Sequence, residues 1–220
     1  MVSWTGVPPF TRASRGGPRT IREDGRVTRR RFLVLHGWQN HRPRHHWQWQ
    51  LVEALRSDGE QVLYPQLPEP DRPSRDLWTE LLRAELAQLG DGERVVLAHS
   101  LAVPLWLHAA PLLTAAERVD RALLISPPSP AVLAGHEEVA AFSRMRPDPD
   151  ALRAAAGSTR LVYGDDDQYC PEGVPAAYPA LDVDTDVIVG GRHLDPDAGY
   201  GAWPSVRDWC HDPSTRLVAR

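Results

Sequence analysis

From Arg31 onward the apolar residues follow two alternating spacings. Short, compact apolar runs at 32–35, 61–64, 94–98, 121–126, 160–163 and 185–189 have the length and β-rich character of buried strands. Between them lie longer stretches with helical periodicity. One covers 47–57, and a second covers 74–89, where Leu77, Leu81, Leu82, Leu86 and Leu89 recur on one face. A third begins at Ser100 and a last one spans 203–209. Strands alternating with amphipathic helices predict an α/β fold with an open, mostly parallel sheet between two helical layers. The proline-containing stretch 127–153 fits loops and short helices beside a site mouth, which leaves little room for a separate lid.

The 220 residues, 42% of them hydrophobic, are enough to bury one substantial core, so one folded domain over 31–220 is expected. Residues 1–30 differ from it. They hold seven arginines around Gly16-Gly17-Pro18 with little apolar periodicity, and read as a flexible basic extension. The whole-chain charge of −4 gives no footprint for nucleic acid, and no apolar run is long enough for a membrane span. Cys170 and Cys210 are isolated thiols without metal or redox spacing, and the chain starts without a basic-then-apolar leader. Both features lead to an expectation of a cytoplasmic protein. The sequence leaves oligomeric state open.

Candidate chemistry sits where the predicted strands end. The run Val95-Val96-Leu97-Ala98-His99-Ser100-Leu101-Ala102 delivers a serine from a strand into a helix, the turn that exposes a nucleophile in the G-x-S-x-G elbow. Here Ala98 and Ala102 stand in place of both glycines. Upstream, Leu35-His36-Gly37-Trp38 places a tight turn after the first strand, so the backbone N–H groups of Trp38 and Leu101 are the expected oxyanion donors. Three aspartates, Asp165, Asp166 and Asp167, follow the 160–163 strand. Asp167 is the preferred orienter of an imidazole, with its two neighbours as alternatives. After the 185–189 strand, Gly190-Gly191-Arg192-His193 supplies His193 as the general base, completing the order Ser, Asp, His.

These residues resemble the small serine α/β-hydrolase family that includes retinoblastoma-binding protein 9 and its bacterial relatives. The resemblance spans 31–210 and rests on Leu35-His36-Gly37-Trp38, His46-Trp47-Gln48, Ala98-His99-Ser100, Asp167-Gln168-Tyr169-Cys170, and Arg192-His193 with Gly201-Ala202-Trp203-Pro204. It implies a triad of Ser100, Asp167 and His193. Gln168 replaces the proline usual after the acid, and Arg192 replaces the glycine usual before the histidine. His46, Trp47 and Trp203 are candidates to line a substrate opening, where aromatic area and polar handles coexist.

The implied reaction is hydrolysis of an ester or related small acyl compound through an acyl-enzyme, with no metal and no cofactor. Two rivals share the sequence: an amide hydrolase, and a noncatalytic module that binds a protein partner on a hydrolase fold.

Overall fold

The computed structural model describes residues 29–144 and 147–220; the basic extension expected over 1–30 therefore lies outside it up to Thr28. Arg30, assigned to that extension, instead opens the first strand. Its guanidinium is ion-paired with Glu60 and Glu93, which ties it into the base of the sheet.

Six strands form one sheet: β1 (Arg30–Leu35), β2 (Gln61–Leu63), β3 (Glu93–His99), β4 (Val119–Ile125), β5 (Ala156–Gly164) and β6 (Asp184–Ile188). All five pairings are parallel, in the order β2-β1-β3-β4-β5-β6. The continuous apolar runs follow from this, because a parallel sheet is covered on both faces. Alternate residues divide between them. Phe32, Val34, Val95, Leu97, Leu123 and Ile125 face one cluster, while Leu33, Leu35, Val96, Ala98, Ala122 and Leu124 face the other. The first cluster is closed by α1 (Trp47–Ser57) and α7 (Pro204–His211), the second by α2 (Arg75–Gln88) and α3 (Ala102–Ala109).

Smaller helices complete the chain: α4 (Pro130–Ala134), α5 (Pro149–Ala155) and α6 (Val174–Ala177), with short 3₁₀ turns at Ala110–Leu112, Ala140–Phe142 and Pro196–Ala198. No separate lid domain is present among the described residues, and no described helix is long and apolar enough to cross a membrane. Cys170 and Cys210 are buried free thiols in opposite core clusters, so the sheet stands between them.

The strand order fixes where a site can form. From β1 the chain moves outward to β2 and then returns across β1 to β3, so the loops after β1 and β3 diverge in direction. The crevice at such a switch point, beyond the carboxyl ends of the strands, is where α/β sheets bind ligands. The loops after β5 and β6 open on the same edge.

Trp78 shows what holds one face. It is fully buried, its ring edge meets His36 and Phe142, and its indole N–H donates to the Pro68 carbonyl at 2.8 Å. Trp78→Ala should lower unfolding free energy by about 3–5 kcal/mol, through the cavity it leaves; urea denaturation of the two proteins measures this, and a change below 1 kcal/mol (~0.7 of a tenfold step) would contradict the packing role.

Candidate active site

Ser100 follows directly on the last residue of β3. It adopts φ +55°, a left-handed conformation that a non-glycine residue avoids unless its surroundings impose it. Its N–H donates to the Ile125 carbonyl at 2.9 Å, continuing the β3–β4 ladder, while its own carbonyl accepts from Val103 at 2.8 Å and starts the helix. Ladder on one side and helix on the other pin the strained residue between them. The helix predicted to begin at Ser100 therefore begins at Ala102, since no helical turn accommodates φ +55°.

Gly37 fits against this elbow. A Cβ at residue 37 would come within 2.7 Å of the Ser100 Cβ and 3.1 Å of its Oγ, so the loop after β1 can pass the nucleophile only as bare backbone. That loop is strapped to the segment after β2. Gln39 N–H donates to the Pro70 carbonyl at 2.8 Å, the Trp38 indole donates to the Asp71 carbonyl at 3.0 Å, and the Leu67 N–H donates to His36 Nε2 at 2.9 Å.

The three aspartates each have a separate task. Asp167 Oδ2 accepts from His193 Nδ1 at 2.7 Å and its Oδ1 accepts from the Tyr169 N–H at 2.8 Å. Asp165 and Asp166 instead accept from the backbone of the histidine loop, from Gly190 N–H at 2.8 Å and Arg192 N–H at 2.6 Å. With Nδ1 donating to Asp167, His193 Nε2 is the acceptor, and it lies 2.9 Å from Ser100 Oγ. Hydroxyl, imidazole and carboxylate thus form a continuous relay between three loops, and the choice among the aspartates falls on Asp167.

A cleft of about 430 Å³ opens over Ser100 and His193. It is lined by apolar Pro128, Val132, Leu133 and Leu101 and by polar Asn40, His41, His45 and His46. Trp38, whose ring meets His136 at 5.1 Å, lies along the opening. Tyr169 packs on the His193 ring at 4.4 Å between centroids.

The other expected lining residues fall in different places. His46 reaches the cleft, and its side chain also accepts from Gln48 N–H to cap α1. Trp47 and Trp203 do not line it. They meet edge to face at 5.5 Å, both buried in the core cluster beneath the site, because Trp47 begins an inward-facing helical turn and Trp203 leads into α7. Gln48, unremarked in the sequence beyond its motif, is fully buried and donates to the Leu35 carbonyl at 2.9 Å, holding the end of β1.

Burial sorts the remaining imidazoles. Desolvation lowers His36 to about 4 and His46 to about 3, and pushes His99, enclosed between His46, Trp47 and His193, well below the ordinary histidine value. Each is a neutral ring at neutral pH. No cluster of three or more metal-ligating side chains occurs among the described residues.

A family model described as serine hydrolase matches residues 32–211. The chain belongs to the serine hydrolase family. Its fold is also that of solved structures at low sequence identity. The ydeN gene product from B. subtilis is 23% identical, covering 82% of this chain and 96% of that one with a TM-score of 0.68. A protein described as a ydeN-like hydrolase from Pectobacterium atrosepticum is 16% identical, covering 83% and 90%, with a TM-score of 0.61. The esterase domain of a Rhodothermus marinus protein is 16% identical, covering 81% and 85%, with a TM-score of 0.58. No curated protein matches by sequence. With its triad assembled, this serine hydrolase is equipped for ester or acyl hydrolysis through an acyl-enzyme.

Gly37→Ala should cut kcat by about a hundredfold, because displacing the nucleophile by even an ångström is costly; steady-state kinetics alongside thermal melting check this, and unchanged kcat in folded protein would contradict the close approach.

Acid should destabilise the fold before it neutralises the carboxylates. His36, His46 and His99 have folded-state values below the unfolded value of 6.5, so the unfolded chain binds protons first. Their contribution is complete above pH 6.5 and is lost as pH falls toward 4 for His36 and 3 for His46, with a slope of about 1.4 kcal/mol per pH unit per residue at most. Urea midpoints at pH 7 and pH 5 should fall accordingly; equal midpoints would contradict neutral buried rings.

Proposed function

We propose that this serine hydrolase cleaves small, uncharged carboxylic esters, with the acyl chain against Pro128, Val132 and Leu133 and the leaving alcohol toward the imidazoles that line the cleft. The observation that carries the reading is the 2.9 Å contact of His193 Nε2 with a left-handed Ser100 at the floor of an open cleft. Ser100 Oγ attacks the carbonyl carbon while His193 takes its proton, and Asp167 stabilises the imidazolium that forms. The backbone N–H groups of Trp38 and Leu101 receive the developing oxyanion. Supporting this role, Gly37 brings the Trp38 peptide against the nucleophile, and Leu101 lies at the amino end of α3, where helix N–H groups lack intrahelical partners. Collapse of the tetrahedral intermediate sends the proton from His193 to the leaving alcohol, and water then resolves the acyl-enzyme by the same path.

The apolar lining of Pro128, Val132 and Leu133 favours a short aliphatic or aromatic acyl group, since burying each methylene there contributes about 0.8 kcal/mol. His46 is a specificity residue in this reading: its Nδ1 is occupied by the cap of α1, which leaves Nε2–H as a donor for a polar substituent. The finer kinship with retinoblastoma-binding protein 9 is supported by Leu35-His36-Gly37-Trp38 and by the spacing of the triad. Cytoplasmic residence is supported by the two buried free thiols, which suit a reducing compartment.

A fluorophosphonate should label native protein at Ser100, and Ser100→Ala or His193→Ala should abolish labelling while the fold persists. With 4-nitrophenyl esters of increasing chain length, Asp167→Asn should lower kcat by about ten-thousandfold, because the imidazole then takes the wrong tautomer. Turnover retained in both Ser100→Ala and His193→Ala would refute the assignment. A folded native protein that neither labels nor turns over ester would favour the noncatalytic binding module.

A further inference from the structure

The catalytic imidazole is presented by an unusual piece of backbone. Residue 192, immediately before His193, adopts φ +51°, and it is an arginine. Such a conformation costs an L-residue with a side chain and persists only where neighbours over-determine it. The Arg192 side chain offers little restraint, since it is exposed and, among the described residues, hydrogen-bonds only the Asp197 carbonyl, at 3.3 Å.

Its backbone is held. The Arg192 N–H donates to Asp166 Oδ1 at 2.6 Å, a charge-assisted bond from the residue directly before the triad acid. Asp165 takes the Gly190 N–H in the same way at 2.8 Å. Beneath them the loop lies on Gly164, where a Cβ would collide with the Arg192 backbone. On the far side, the His193 carbonyl accepts from His99 Nε2 at 3.2 Å. The Gly191–Arg192 peptide is therefore fixed by Asp166 and the His193–Leu194 peptide by His99, one on each side of the Arg192–His193 unit.

We propose that Asp166 is a positioning residue for hydrolysis: its carboxylate clamps Arg192 in the left-handed conformation and so sets His193 Nε2 at attack distance from Ser100. This rests on the triad reading above but assigns Asp166 a task separate from the acid role of Asp167. Asp166 touches neither substrate nor imidazole. Without it, Arg192 relaxes toward negative φ and the imidazole swings away from Ser100 although Asp167 remains.

The clamp predicts a specific rescue. Glycine adopts positive φ without the steric cost of a side chain, so Arg192→Gly removes the conflict that Asp166 has to hold. Asp166→Ala should reduce kcat by roughly tenfold to a hundredfold with KM little changed, as expected for a misplaced base. The Asp166→Ala/Arg192→Gly double variant should regain most of that loss, to within about threefold of Arg192→Gly alone, the shortfall reflecting the missing bond. Asp166→Asn, which keeps an oxygen acceptor, should hold kcat far above Asp166→Ala.

The experiment is steady-state hydrolysis of 4-nitrophenyl butyrate by the native protein and these four variants, with circular dichroism to confirm folding and the rate of fluorophosphonate labelling of Ser100 as a second readout. Full kcat in Asp166→Ala overturns the proposal. So does a loss in Asp166→Ala that Arg192→Gly leaves uncorrected, because the carboxylate would then act by charge or by general stability. If Asp166→Ala does not fold, the double variant decides: turnover near that of Arg192→Gly upholds the clamp and its absence rejects it. Native protein that neither turns over nor labels overturns the triad reading itself, an outcome separate from all of these.

Discussion

The cleft depends on a single backbone conformation, the left-handed turn at Ser100, and most of the surrounding structure can be understood as what that turn requires. A strand running straight into a helix would bury its junction residue in one element or the other. Forcing φ to +55° lifts the serine out of both, at a cost of about 1–3 kcal/mol that local contacts offset. The β3–β4 ladder continues one residue into the turn, and α3 takes its first carbonyl from the same residue. Neither restraint can relax without breaking a bond that belongs to the core. Gly37 then supplies the space that the lifted side chain needs.

Ala98 and Ala102, which stand where this kind of turn commonly has glycine, fit the same account. Ala98 is an ordinary strand residue paired with Leu35 and Leu124, and Ala102 is the first residue of α3; both are fully buried in the same core cluster. The left-handed conformation falls on Ser100 alone, so its neighbours need only be small. A methyl group meets that need and contributes apolar contact that a hydrogen would not.

Much of this was legible in the sequence. Alternating apolar periods gave six strand positions within a few residues, and the order of Ser100, the aspartate run and His193 located the triad loops. The ends of elements were less legible, because several are set by backbone strain: Ser126, at positive φ, stops β4 one residue short of the expected 121–126, whereas β3 runs one residue past the expected 94–98 and ends only where Ser100 turns to positive φ. Asp167 was the expected acid and is the one that meets the imidazole, but the separate tasks of Asp165 and Asp166 were out of reach for a different reason. Identical side chains on consecutive residues point in different directions after a strand, and only the path of the histidine loop decides which one meets an imidazole and which meet backbone N–H groups. Trp47 and Trp203 show the reverse failure: aromatic residues beside cleft motifs turned inward, since two indoles packed edge to face bury more apolar area than an open cleft can cover.

The opposite edge of the sheet carries the counterpart of this strain. Around the amino ends of β1, β3 and β4, Arg30 pairs with Glu60 and Glu93, and Arg121 pairs with Glu93 at 2.6 Å while donating to the carbonyls of Trp209 and Cys210. The Arg121 guanidinium also lies 4.7 Å from the Trp209 ring centroid. Buried ion pairs of this kind add little net stability over apolar packing, but breaking one leaves an uncompensated charge, so they fix geometry firmly. Here they lock the strand register and the seating of α7 at one edge. Register set at that edge is carried along each strand to the other, where a shift of one residue would move Ser100 away from the ladder bond that holds it. The rigidity needed to maintain a left-handed serine is thus supplied partly by charges at the far end of the strands, outside the catalytic cleft.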